Sequence, residues 1–190
     1  MASVFRTCPR TGLKIEKNAE TLIKWNSTIA IVLLAVGGLF ALLVVLTRWP
    51  AVHLLPADLY YRFLTLHGID ALLAWIIFFE MALVYFTSAV LLGARAVCPK
   101  VSWLAFILML VGGVLINVIV LLGKADVMFT SYVPLKADPL YYLGVILFAV
   151  GALIGAFWGA QLSLSLETTL LKRIFAAFLL VVAVYMYVRA

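Results

Sequence analysis

The chain has 190 residues, of which 67% are hydrophobic and 12% charged, with a formal net charge of +6 and a mean hydropathy of +1.21. Soluble domains carry about 25% charged and about 45–50% apolar residues, so this composition excludes one. The basic residues sit at the ends of apolar runs, where they set membrane topology; the charge therefore argues for a lipid bilayer as partner and against nucleic acid.

A bilayer-crossing helix needs about 20 mainly apolar residues, and the chain offers four to five such stretches. Residues 1–27 precede them as a basic arm. The arm has no short apolar stretch followed by a small-residue cleavage site, so it does not read as a signal peptide. The first helix is expected from Thr28 to Leu46. An outer loop, "TRWPAVHLLPADLYYR", follows, rich in aromatics and prolines that suit a headgroup layer and stop helices. The second helix runs from Tyr61 to Leu92 and holds His67, Asp70 and Glu80. The third, Val101 to Gly123, contains Asn117. The fourth runs from Leu140 to Leu164, with Gly151, Gly155 and Gly159 at i, i+4 and i+8, a spacing that permits close helix contact. Residues 28–164 thus form a four-helix membrane region. Residues 165–190 add a short fifth candidate, Leu170 to Val188. The expected fold is an all-α polytopic bundle.

Arg6, Arg10, Lys14, Lys17 and Lys24 precede the first helix, and Arg95, Lys100, Lys172 and Arg173 lie on the same side. Arg48, Arg62, Lys124, Lys136 and Arg189 face the other. The richer side is cytoplasmic, so the N-terminus is expected inside. Cys8 and Cys98 fall on that reducing side without metal or CxxC spacing, and read as plain thiols.

Ionisable residues inside a span are costly and mark functional sites by default. At 100° per residue, Asp70 is turned about 60° from His67, and Glu80 about 140°. Two readings stand for the carboxyls: hydrogen bonding to an adjacent helix, with Asn117 as a polar partner, or a proton relay. His67 likewise reads either as a hydrogen-bonding partner or as a ligand. A histidine followed at once by Gly68 suits haem, because a small neighbour lets a porphyrin face approach the backbone.

The stretch "LYYRFLTLHGIDALLAWIIFFEMALVYF" resembles the second transmembrane helix of subunit I of haem–copper terminal oxidases, and most resembles the B-type branch. The loop "FTSYVPLKADPLYYLG" resembles that family's outer loop between helices three and four. There the family's Y-P-P-L reads Tyr132-Val133-Pro134-Leu135. The likeness covers about residues 1 to 150. It implies that His67 is an axial ligand of a low-spin haem, b or a, and that Tyr132 and Pro134 shape a cap near the propionates. It implies an N-terminal portion of subunit I in a bacterial or archaeal cytoplasmic membrane, acting in respiratory electron transfer to oxygen. The His67 ring is then expected to enter a slot shared with helices three and four.

The family's remaining haem and copper ligands lie on late helices. The other histidine here, His53, sits in an outer loop, so no copper site is expected and the chain is not expected to be catalytic alone. The resemblance implies that the rest of subunit I, or other oxidase subunits, supplies the missing ligands. The closing segment bears a weaker resemblance to sulfite-exporter-like permeases, carried by Gly155, Gly159 and Leu171-Lys172-Arg173-Ile174-Phe175. Two alternatives accompany these readings: a cofactor-free accessory membrane protein, and a permease-like carrier using Asp70 and Glu80.

Overall fold

A computed structural model of the chain describes residues 5–91, 98–125 and 137–163. Four of its helices are long and apolar enough to cross a membrane: Lys17–Arg48, Ala57–Val90, Pro99–Leu121 and Pro139–Gly159. The expected fifth helix lies outside the described residues, as do Tyr132 and Pro134.

The basic arm carries a short β-hairpin. Strands β1 (Phe5–Thr7) and β2 (Lys14–Glu16) pair antiparallel, Phe5 opposite Glu16. Gly12 makes the turn at φ +68, a conformation that glycine adopts without steric cost. Helix α1 (Lys17–Arg48) follows directly, starting well before the expected Thr28. Ala19, Leu22, Asn26 and Ala30 are buried along one face. That amphipathic turn is mostly polar, so hydropathy alone misses it. Glu20 anchors it: its Oε1 lies 2.6 Å from both Arg6 Nη2 and Lys24 Nζ.

The second span is one continuous helix that includes two π segments. Pro56 precedes α2 (Ala57–Gly68), a π-helical segment covers Ile69–Ala74, α3 covers Trp75–Phe86, and a second π segment covers Thr87–Leu91. In the second π segment the Thr87 and Ser88 hydroxyls donate to the Leu83 and Val84 carbonyls at 2.7 and 2.6 Å. Such back-bonding satisfies carbonyls where the regular ladder changes.

Helices α4 (Pro99–Leu121) and α5 (Pro139–Ser163) each begin with a proline, whose missing N–H is no loss at a first helical position. Helix α4 stops at Gly123, φ +72, where the Lys124 N–H bonds back to the Ile119 carbonyl at 3.1 Å. A bridge between Ala125 and Ala137 brings the ends of the connecting loop together.

Glycines set the packing distances. A Cβ on Gly112 would lie 2.6 Å from the Gly144 carbonyl and from the Phe148 nitrogen of α5. The ridge in the fourth span packs as its spacing predicts, with Gly151 against Ala105 and Met109, Gly155 facing Met81, and Gly159 against Val84. Between these helices Phe78 meets Phe106 and Phe148 edge-on, with ring centroids 6.1 and 5.8 Å apart.

This predicts that Gly112→Ala destabilises the bundle by about 1–3 kcal/mol through overpacking. Gly38→Ala, where nothing lies within 4 Å of a new Cβ, should be neutral or slightly stabilising in a helix interior. Thermal unfolding of both variants in detergent measures the difference; equal midpoints would contradict the close α4–α5 approach.

Candidate functional site

The site is built where the first and second spans touch. A Cβ on Gly37 would sit 2.9 Å from the Ala71 nitrogen, so only glycine allows α1 this close. The approach brings the Gly37 carbonyl 3.0 Å from His67 Nδ1. A carbonyl oxygen only accepts, so Nδ1 is the donor in this bond. This is how proteins prepare an imidazole for a metal: one nitrogen held by the backbone, the other left as the ligand.

His67 does not enter a slot shared with the third and fourth spans, which corrects the expectation. That slot exists as an apolar cavity of about 260 Å³, but Ile69, Leu73, Ile77, Gly113, Tyr141 and Phe148 help line it, and His67 does not. On an ideal helix Ile69 is turned about 200° from His67. Directing the Ile69–Leu73–Ile77 stripe at α5 therefore turns the imidazole to α1. His67 is half-buried, and Gly68 beside it is buried.

Asp70 follows at the start of the π segment and is fully buried. Its Oδ1 accepts a hydrogen bond from Asn117 Nδ2 of α4 at 3.0 Å. Asn117 Nδ2 also lies 3.0 Å from the Gly113 carbonyl on its own helix. Asp70 Oδ2 has no hydrogen-bond partner. Asp70 and Asn117 line a second, largely apolar groove of about 240 Å³ with Ile29, Leu33 and Val36 of α1. The π turn carries the Trp75 N–H to the Asp70 carbonyl, an i→i+5 bond that widens the helix at this point. Such bulges recur at functional sites.

Glu80 is not part of this constellation. It is exposed on the opposite, outward face of α3, so the structure joins Asp70 to Asn117 and leaves Glu80 apart. Among the described residues no group of three or more His, Cys, Asp or Glu could hold a metal ion. Sequence reasoning missed Gly37 because its contribution is a backbone carbonyl. The Gly37-Gly38 pair in an otherwise bulky apolar helix was the available signal.

The fold and site define a helical bundle that spans a membrane and presents one oriented imidazole. The chain matches the family Cytochrome C and Quinol oxidase polypeptide I over residues 21–189, and it belongs to that family. It is an integral membrane protein. The match extends past residue 150 through the closing segment, which the same family therefore accounts for. Among solved structures, a chain of a heme-copper terminal oxidase dimer studied by cryo-EM is similar, with a TM-score of 0.65 and 24% identity. The alignment covers 78% of this chain and 26% of that one, so the present chain spans well under two thirds of its relative's length. No curated protein matches the sequence.

The Asp70–Asn117 bond gives a prediction. Asn117→Leu leaves both carboxyl oxygens unpaired and should cost about 1–3 kcal/mol. Removing both partners together (Asp70→Leu with Asn117→Leu) should recover part of that loss, because no polar group is then stranded. A double-mutant cycle read by unfolding in detergent would show strict additivity if the two side chains did not interact.

Proposed function

We propose that this chain forms the N-terminal part of an oxidase polypeptide I, acts within a larger respiratory complex that passes electrons to oxygen, and supplies His67 Nε2 as one axial ligand of a low-spin haem, b or a. The observation that carries the reading is the bond from His67 Nδ1 to the Gly37 carbonyl. It orients the ring and puts the donor proton on Nδ1, so that Nε2 is the nitrogen that would meet an iron. The residues present therefore fit a haem, which when bound supplies one-electron redox chemistry.

The chain's own residues do the rest. Gly37 holds the proton at Nδ1. Gly68, the small residue beside the imidazole, is where a porphyrin face would approach the backbone. Tyr132 and Pro134 cap the outer side in this reading, as the loop resemblance suggests. Asp70, tied to Asn117, is the candidate proton-handling group one turn from His67 on the same helix. The second axial ligand, the second haem site and copper belong to the remaining oxidase polypeptide I or to other oxidase subunits; the 26% coverage of the relative supports such a division. The distribution of Lys and Arg supports a cytoplasmic N-terminus, and the B-type likeness supports a bacterial or archaeal membrane.

The test is a reduced-minus-oxidised spectrum of the complex purified from its membrane. A low-spin haem band should be present in the parent and absent in His67→Ala. In Gly37→Ala the new Cβ pushes α1 from Ala71, which weakens the Nδ1 bond; haem affinity should fall about 10–100-fold. A complex with every subunit present and no such band would overturn the reading in favour of a cofactor-free membrane protein.

A further inference from the structure

We propose that the outward face of the second span, centred on Glu80, is the docking surface for a transmembrane helix of another polypeptide, which places a hydrogen-bond donor (an amide, hydroxyl or cationic side chain) opposite the Glu80 carboxyl. The argument begins with depth. Glu80 lies between Phe78, whose ring meets Phe106 of α4 and Phe148 of α5, and Met81, whose sulfur faces Gly155. These neighbours occupy the interior turns of α4 (Pro99–Leu121) and α5 (Pro139–Ser163). Glu80 is therefore at hydrocarbon depth, beyond the reach of lipid headgroups.

Exposure and pairing come next. Glu80 is exposed, and among the described residues no hydrogen bond or ion pair meets its carboxyl. The other described acidic side chains on the helices are provided for. Glu20 is clamped by Arg6 and Lys24, Asp58 meets Arg62 at 3.4 Å at a helix end, and Asp70 accepts from Asn117. A carboxylate held bare against acyl chains costs about 2.5–3.5 kcal/mol even on insertion-based scales. A chain that gives each of these other carboxyls at least one partner is not expected to carry that penalty in the assembled state.

The surroundings have the form of a helix-docking seam. Leu72, Ile76, Phe79, Leu83 and Phe86 are 55, 36, 41, 47 and 40% exposed. Their spacing of four, three, four and three residues is the a/d pattern of a packed helix pair. Glu80 falls at a position flanking this seam, where charged and polar side chains set partner choice and orientation. The apolar seam alone fits lipid as well as protein; the carboxyl decides between them. A second copy of this chain docked symmetrically here would bring two Glu80 carboxyls together, which like-charge repulsion disfavours. A partner helix bearing a donor has the complementary chemistry.

The experiment uses the assembled complex in its own membrane. A photoreactive residue replaces Leu83, and the crosslinked peptide is sequenced. The expected product joins position 83 to an apolar run of another polypeptide that carries a donor side chain within a turn of the crosslink. In a parallel preparation Glu80→Leu should reduce co-purification of that polypeptide at least about tenfold, equivalent to about 1.4 kcal/mol. Glu80→Gln, which keeps the shape and hydrogen-bonding capacity, should retain it within about threefold. An unchanged thermal midpoint of the isolated Glu80→Leu chain confirms that the fold survives. Lipid adducts alone, a crosslink to a second copy or to residues 164–190 of the same chain, or full co-purification of Glu80→Leu would each overturn the proposal. The haem reading is judged separately: loss of the band in His67→Ala leaves the crosslink intact, and a crosslinked complex without any haem band sinks the oxidase assignment alone.

Discussion

The close contact of the first and second spans at Gly37 is the constraint on which the rest of the site depends. A side chain there would occupy the space taken by the Ala71 backbone. Without it the Gly37 carbonyl reaches His67 Nδ1. One missing Cβ therefore sets an interhelical distance, a tautomer and the direction of the free imidazole nitrogen. The same carbonyl already serves the α1 ladder, and a carbonyl has two lone pairs. The arrangement thus satisfies an intramembrane imidazole N–H without requiring a second ionisable group.

The second contact follows from the first through helix geometry. Once His67 faces α1, Asp70 one turn further on is carried toward α4, where Asn117 waits, and the Ile69–Leu73–Ile77 stripe turns to the cavity beside α5. The π segment lies over this redistribution. An extra residue per turn rotates everything that follows, so that Phe78, Met81 and Tyr85 fill the core while Ile76, Phe79 and Leu83 face outward. A regular α-helix through the same residues would deliver a different set of side chains to each neighbour. The two polar contacts and the aromatic core below them are in that sense one arrangement.

Much of this was legible in the sequence, for reasons that can be named. The spans were visible because apolar length is a strong constraint in lipid. The packing of the Gly151–Gly155–Gly159 ridge followed from its spacing, and His67 stood out because an imidazole in a span is rare. Three features were not legible. The start of α1 at Lys17 depends on an amphipathic turn whose buried members include a polar residue, Asn26, so hydropathy passes over it. The direction of His67 depends on Gly37, a backbone contact between residues thirty apart. The division of labour between Asp70 and Glu80 depends on a change of pitch that side-chain periodicity does not announce. Asn117 was identifiable as a polar partner, but the sequence left open which carboxyl it would serve.

Asp70 and Glu80 then illustrate one rule with two outcomes. Both are carboxyls on one helix surrounded by hydrocarbon, and each needs something to meet its oxygens. Asp70 obtains it inside the bundle, from the amide of the next span, and the bond draws the second and third spans together. Glu80 is exposed and meets no hydrogen-bond or ion-pair partner among the described residues. A residue selected only for the fold of the bundle would be apolar at that position, as its neighbours Ile76, Phe79 and Leu83 are. In the docking proposal the cost of that carboxyl is offset by a donor on the partner helix. There Glu80 is the chemical handle on an otherwise apolar face, whose Ile76, Phe79 and Leu83 are exposed beside it.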